Sequence, residues 1–161
     1  MCGLIEGCVA SHVSALAACR GGADRLELCA NLSIGGTTPS PSLFQQVRRD
    51  CPVKVNVLIR PRFGDFLYSE MELEEMREEI RRFRDLGANG VVIGVLTPEG
   101  DLDAGAMTRL MDCAGEMDVT LHRAFDMTRD PLAALGPPSA SAAGPFSPPD
   151  RPRTRRRERR F

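Results

Sequence analysis

The sequence predicts an α/β protein in which strands and helices alternate along the chain. Segments rich in β-branched residues alternate with amphipathic segments, a pattern typical of βαβ units around a parallel sheet. The order Gly-Ala-Asp at 22–24 and Gly-Ala-Asn at 87–89 recurs between a predicted helix and the following strand. No GxGxxG sequence follows the first strand, and polar residues stand in or after several strands, which favours a barrel over a doubly wound sheet. We therefore predict the N-terminal part, about five strands, of a TIM-type (β/α)8 barrel.

The first half of the pattern is defined by helix caps and turn residues. Ser11 can cap the first helix, Gly21 and Gly22 end it, and Ser40 can cap the second helix. A loop over residues 30–38 precedes that second helix. The predicted elements are a strand at Leu4–Val9, a helix at His12–Arg20, a strand at Arg25–Cys29 and a helix at Pro41–Arg49.

The second half contains the clearest strand and the clearest helix. Val53–Arg60 is rich in β-branched residues and lies between two prolines. The following helix has a capping box formed by Ser69 and Glu72, an apolar stripe at spacings of three and four, and Gly87 as its stop. The stripe consists of Leu73, Met76, Ile80 and Phe83, and the remaining elements are a strand at Gly90–Val95, a helix at Asp103–Ala114, a strand at Val119–His122 and a helical turn at Pro131–Leu135.

Composition and charge divide the 161 residues into two segments. Residues 1–135 carry 14 basic and 20 acidic groups, whereas residues 136–161 carry seven arginines, two acidic residues and six of the 12 prolines. The overall composition excludes a fully disordered chain, and no segment reaches the roughly 20 apolar residues of a membrane span. Without a secretory leader, the cytoplasm is the expected location. Tyr and Trp are scarce and no folded nucleic-acid module is visible, so we expect no nucleic-acid partner.

A Glu-x-Cys sequence occurs in each of the first two strands. Glu6 and Cys8 share one face of the first strand, because alternate residues point to the same side. Glu27 and Cys29 repeat this arrangement in the second, so in a barrel two carboxylates and two thiols would converge near its top. Thiolates prefer Cu(I) and zinc, and Cu(I) accepts two or three ligands where zinc usually takes four, so a site at the two cysteines would suit Cu(I) better than structural zinc. The alternative is that each cysteine is an ordinary small apolar core residue.

Basic residues stand at the ends of the third and fifth strands. Arg60 and Arg62 bracket a proline, and His122 and Arg123 follow the fifth strand. The three arginines could bind an anion, or the first two could neutralise the buried carboxylates. His122 could add a third metal ligand, or act as general acid/base with either glutamate as its partner. The function left open beside copper binding is therefore a barrel enzyme that acts on a small anionic substrate.

Five segments together are distinctive: LIEGCV at 4–9, GGADRLELC at 21–29, GGTTPS at 35–40, IRPRFGDFLYS at 59–69 and HRAFDM at 122–127. In composition and order they resemble the copper homeostasis protein CutC family, over about residues 4–135. The resemblance implies a cytoplasmic TIM-barrel protein that is linked to copper handling and has no established catalytic activity. The resemblance is also compatible with a homo-oligomer. It implies Cu(I) ligands at Cys8 and Cys29, and polar barrel-top residues at Glu6, Glu27, Arg60, His122, Arg123 and Asp126.

The chain departs from the resembled family after Leu135. The family continues through about three more strands, whereas this sequence becomes rich in Pro, Ser and Arg. We predict a partial barrel over residues 1–135 and a disordered tail over residues 136–161. Our hypothesis is that the sequence comes from a frameshifted or truncated member of the family. Translation of the coding DNA in the other two reading frames tests this. The alternative is that the basic tail is native and disordered. Since five strands cannot close an eight-stranded barrel, we expect open sheet edges, an exposed apolar interior and a tendency to associate.

Overall fold

The fold is that of a computed structural model, which describes residues 3–134. In this part of the chain five strands form one parallel sheet in sequential order. The strands are β1 (Glu6–Val9), β2 (Arg25–Leu28), β3 (Lys54–Leu58), β4 (Gly90–Ile93) and β5 (Asp118–Leu121). The helices are α1 (His12–Arg20), α2 (Pro41–Asp50), α3 (Glu70–Asp85), α4 (Ala104–Ala114) and α5 (Pro131–Ala134), with 3-10 turns at Leu32–Ile34 and Phe125–Met127.

The sequential parallel order is the arrangement expected of a (β/α)8 barrel, and the predicted fold class is confirmed. Within residues 3–134, β1 and β5 each pair with one neighbour, so both edges of the sheet stay open there. The predicted tail at 136–161 and the domain boundary lie outside the described residues. None of the helices between residues 3 and 134 has the length and apolar character needed to cross a bilayer.

The helices begin where the caps in the sequence predict. The Ser11 hydroxyl accepts a hydrogen bond from the Ser14 backbone N–H, and Ser40 accepts one from Leu43. At α3 the predicted capping box is complete, since Ser69 and Glu72 each accept a bond from the other's backbone. These caps fix the helix starts, and therefore the lengths of the loops that carry the polar residues.

The main core lies between the sheet and the helices. One face of each central strand supplies apolar residues such as Leu26 and Val57, which are fully buried. The predicted stripe of α3 is buried against them, and its Phe83 packs edge-on against Phe44 of α2 with ring centroids 5.4 Å apart. Burial of this apolar face is the main source of stability of the described fold.

The opposite face of the sheet is largely polar, and the predicted apolar interior is wrong. Arg25 pairs with Glu6, and the Lys54 Nζ atom lies 3.4 Å from a carboxylate oxygen of Asp118. Asn56 is also fully buried on this side. The physical reason is strand alternation: the apolar positions face the helices, which leaves the polar positions for the other face. A small apolar cluster of Cys29, Leu58 and Val92 interrupts this polar surface.

Candidate functional site

A cavity of about 260 Å³ lies at the carboxyl ends of the strands. Active sites of (β/α)8 barrels occupy this end. Its walls come from β1, β2 and β3 and from the segments that follow β2, β3 and β5. The lining residues are Cys8, Glu27, Cys29, Leu32, Gly35, Leu58, Arg60, Phe66, His122 and Arg123.

The two predicted metal ligands meet in this cavity. The Sγ atoms of Cys8 and Cys29 are 3.6 Å apart. Cys8 pairs in register with Glu27, and the backbone N–H of Cys29 donates to the Val9 carbonyl at 2.8 Å, one residue beyond the end of β2. The parallel pairing of β1 with β2 therefore holds the two thiols together.

Glu27 completes a cluster of three potential ligands. Its Oε1 atom lies 3.5 Å from the Cys29 Sγ atom. The ligand atoms of Cys8, Glu27 and Cys29 all lie within 4.8 Å of one another. Two thiols and one carboxylate fit a soft ion of low coordination number better than a four-coordinate structural zinc site.

The environment of the cluster favours protonated thiols. Burial raises the pKa of Cys29 far above its usual range, and Cys8 and Glu27 add to the effect. Desolvation in the cavity, followed by the charges of Glu27 and Glu6, also raises the pKa of Cys8, although its hydrogen bond with Cys29 opposes this. Burial raises the pKa of Glu27 as well. An ion that binds here must therefore displace thiol protons.

Glu6 does not join the cavity. Arg25 donates two hydrogen bonds to its carboxylate, from Nε at 2.7 Å and from Nη2 at 2.8 Å. The expectation that both carboxylates converge is therefore correct for Glu27 only. The counter-ion of Glu6 is Arg25, its register partner on the next strand, and neither Arg60 nor Arg62.

Arg60 is buried in the cavity wall, with 2% of its surface exposed. Its Nη1 atom donates to the carbonyls of Gly35 and Gly36 at 3.0 Å, and its Nη2 atom donates to Gly64 at 2.7 Å. The guanidinium also lies over the Phe66 ring, 4.8 Å from the centroid. Arg60 is therefore held by loop backbone and not by a carboxylate.

Arg62 lies outside the cavity. Its guanidinium pairs with Glu72 and Asp65 and donates to the Leu67 carbonyl at 2.7 Å. It also lies over the Tyr68 ring, 5.3 Å from the centroid. These contacts fasten the loop before α3, so the predicted group of three anion-binding arginines is reduced to Arg60 and Arg123.

His122 and Arg123 enter the cavity from the end of β5. The His122 Nδ1 atom accepts a hydrogen bond from the Ala124 backbone N–H at 3.2 Å, which places the ring proton on Nε2. Burial, with Arg60 and Arg123 adding to it, lowers the pKa of His122 to about 4. Since no hydrogen bond to Glu6 or Glu27 forms, the predicted carboxylate partner is absent within residues 3–134. Asp126 is exposed and does not line the cavity.

Two glycines allow close approach at this end of the sheet. A Cβ atom on Gly94 would lie 2.6 Å from the His122 Nδ1 atom, so only a glycine lets that ring pack against β4's end. A Cβ atom on Gly35, which has φ +92°, would overlap the Arg123 guanidinium. Because Gly94 and Gly35 have no Cβ atom, they leave the space that the side chains of His122 and Arg123 occupy.

Sequence reasoning missed part of the cavity wall. Leu32, Gly35 and Phe66 lie in loops, and their place in the cavity depends on tertiary packing. Gly35 and Phe66 are nevertheless parts of two of the distinctive segments, which is the signal that could have found them. The ion pair of Arg25 with Glu6 could also have been predicted, because parallel register places these two residues opposite each other.

Known proteins with similar sequences cover the region that forms this site. The family model described as the CutC family matches residues 3–137. A protein of Homo sapiens named copper homeostasis protein cutC homolog is 52% identical over 132 residues, which is 82% of this chain and 48% of that protein. A family protein CutC of Chromobacterium violaceum is 46% identical over 132 residues, which is 82% of this chain and 53% of that protein.

A solved structure shows the same fold. The crystal structure of a copper homeostasis protein CutC from Streptococcus agalactiae superposes with a TM-score of 0.77 at 31% identity, and covers 82% of this chain and 65% of that one. This chain spans about half the length of the two relatives named above. Because the family match extends over most of the sequence and includes every residue of the cavity, the chain belongs to the CutC family.

Proposed function

We propose that this protein binds Cu(I) through Cys8 and Cys29 and serves copper homeostasis in the cytoplasm. The single observation that carries the proposal is the 3.6 Å separation of the two Sγ atoms in an open cavity. Two-coordinate Cu(I) needs two soft ligands within reach of one ion, and small side-chain rotations of Cys8 and Cys29 meet that need. The names of the relatives support the link with copper homeostasis.

The chemistry of binding follows from the protonated thiols. Two neutral thiols that bind one Cu(I) ion release two protons and form a bis-thiolate complex of charge −1. Glu27 is a hard carboxylate ligand, so we assign it an electrostatic role beside the complex and not a bond to the ion. The affinity for Cu(I) should consequently rise steeply with pH.

The test is an anaerobic competition titration against bicinchoninate, a Cu(I) chelator, with the complete chain. We expect one Cu(I) per chain, and a loss of at least about hundredfold in affinity in the Cys8→Ser, Cys29→Ser double variant. Cys19→Ser is the matched control, because this half-buried thiol lies on α1 and does not line the cavity. Unchanged affinity in the double variant would refute the copper site.

We propose the cytoplasmic location because the described cysteines carry free thiols. The five cysteines between residues 3 and 134 carry free thiols, which suits a reducing compartment. Cell fractionation with immunoblotting checks the location. Recovery of the protein in an oxidising compartment would contradict it.

A further inference from the structure

We propose that the same cavity contains a binding site for a small oxyanion, a carboxylate or phosphate group, held by Arg123, Arg60 and His122. This site is separate from the thiol cluster and does not depend on copper. It would give the cavity two chemically different halves, one for a soft cation and one for an anionic group.

Two guanidinium groups converge in the cavity beside Gly35. Both Arg60 and Arg123 reach the surface of Gly35, since a Cβ atom built there would overlap Arg123 Nη2 and lie 3.1 Å from Arg60 Nη1. Two like charges this close repel each other, and a bound anion would offset this repulsion. The cavity lining includes both side chains, so a ligand can reach this point.

Within residues 3–134, the guanidinium of Arg60 has no carboxylate as a counter-charge. Arg60 is almost completely buried, yet the three hydrogen bonds that its guanidinium donates go to neutral carbonyls. Among the described residues no carboxylate pairs with Arg60 or Arg123, whereas Glu6, Glu72 and Asp65 are all taken by other arginines. A buried cation without a negative partner is costly, and a bound anion would offset that cost.

His122 places a hydrogen-bond donor in the same cavity as the two arginines. Because Nδ1 of His122 accepts from Ala124, the Nε2 atom carries the proton. This Nε2 atom is buried and has no hydrogen-bond partner in the part of the chain that the structure describes. Arg60, His122 and Arg123 all line the same cavity. A neutral imidazole N–H next to two guanidinium groups matches the acceptors of a carboxylate or phosphate.

Among residues 3–134, the one acidic group that lines the cavity belongs to the other half. Glu27 lies with the thiols, and the charges that act on its carboxyl are those of Glu6 and Arg25. Phe66 forms an apolar wall that contacts both Arg60 and His122, with ring centroids of Phe66 and His122 4.8 Å apart. The ligand class is therefore a small molecule that carries an oxyanion and can lie against an aromatic ring.

The test uses NMR of the imidazole groups in the complete chain, titrated with malonate or with inorganic phosphate at constant ionic strength set by chloride. The chain has two histidines, so His12, which bonds to Asp50 at 2.8 Å outside the cavity, serves as an internal control. We expect saturable shifts of the His122 ring resonances at millimolar anion, with His12 unchanged. Saturation by malonate alone identifies a carboxylate site, and saturation by phosphate alone identifies a phosphate site.

Variants separate this site from general charge effects and from copper binding. Arg123→Ala should weaken anion binding at least about tenfold, since it removes charged hydrogen bonds from an exposed residue whose loss leaves the core intact. Arg20→Ala, which removes an exposed arginine outside the cavity, should change the affinity for the anion by less than about twofold. The Cys8→Ser, Cys29→Ser variant should bind the anion as the unmodified chain does, so the two proposals can fail separately.

Three results would overturn the anion site. One is the absence of saturable His122 shifts with both anions. Another is an equal response of His12 and His122. The third is an equal loss of affinity in Arg123→Ala and Arg20→Ala. Arg123→Lys checks the geometry, because it keeps the charge but loses the planar pair of donors and should bind with intermediate affinity.

Discussion

At the scale of single residues, burial raises the pKa of the two cavity thiols, and the charge of Glu27 adds to this effect. Its Oε1 atom lies 3.5 Å from the Cys29 Sγ atom, and its charge raises the pKa of both cysteines. A carboxylate in this position repels the negative charge of a bis-thiolate complex and so destabilises that complex. At the proposed copper site, Glu27 would therefore lower the affinity for Cu(I) at neutral pH.

The Glu27→Gln variant tests this role. We expect it to bind Cu(I) several-fold more tightly than the unmodified chain at pH 8, about twofold to tenfold, because the thiols lose their protons more easily. The bicinchoninate competition titration measures the change, and Glu75→Gln on the exposed side of α3 is the charge-matched control. A weaker Cu(I) complex in Glu27→Gln would instead make Glu27 a ligand.

His122 links folding to pH. Its pKa is lowered by burial to about 4, whereas a histidine in the unfolded chain has a pKa near 6.5. The unfolded state binds the proton more readily between these values, so His122 contributes stability above about pH 6.5 that is lost as the pH falls towards 4. The upper bound of this contribution is on the order of 3 kcal/mol.

Urea unfolding at several pH values measures this contribution. We expect the free energy of unfolding of the unmodified chain to fall more steeply between pH 6.5 and 4 than that of His122→Asn. Asparagine keeps an acceptor for the Ala124 N–H but does not titrate. Parallel pH profiles for the two proteins would show that His122 is not the linked group.

At the scale of secondary-structure elements, the sequence predicts much more about helix starts than about polar contacts. The caps at Ser11, Ser40 and Ser69 are local signals, because donor and acceptor are three residues apart. They predict α1, α2 and α3 to within a residue or two. The strands were predicted with similar success, although β1 to β4 are shorter than predicted and β5 lies one residue earlier.

The partners of the polar residues could be predicted only where strand register supplies them. Cys8 and Cys29 meet as predicted because they share one face of two paired strands. The contacts of Arg60 were not predictable, because they go to backbone carbonyls of Gly35, Gly36 and Gly64 in two loops. Loop backbone conformation depends on tertiary packing, and side-chain patterns carry little information about it.

The capping box of α3 gives a prediction at this scale. Ser69→Ala should lower the free energy of unfolding by about 1 kcal/mol, since the Glu72 backbone N–H loses its acceptor. Glu75→Ala, an exposed position within the same helix, should change it by less than about 0.5 kcal/mol. Urea denaturation monitored by circular dichroism measures both, and equal effects of the two substitutions would show that the cap adds no stability.

At the scale of the whole molecule, the described sheet has a protected centre and two open edges. The strands β3 and β4 are buried along most of their length, whereas all four residues of β5 are partly exposed. Stability against local opening should therefore decrease from the centre of the sheet towards β1 and β5. The association of copies through these edges stays a prediction.

Amide hydrogen exchange tests this gradient. We expect the amides of β5 to exchange at least about tenfold faster than those of β3 in dilute protein. Repeating the measurement at high protein concentration reveals association, because paired edges become protected. Exchange in β5 as slow as in β3 at every concentration would contradict an open edge.

The sequential order of the strands also has a consequence for how the site is assembled during synthesis. Each new strand pairs with the strand made immediately before it, so the sheet can grow in the direction of translation. The thiol pair needs only β1 and the end of β2, within the first 29 residues, whereas Arg60, His122 and Arg123 are added later. The half of the cavity suited to a soft cation is thus the first that a nascent chain can complete, and the half suited to an anion is the last.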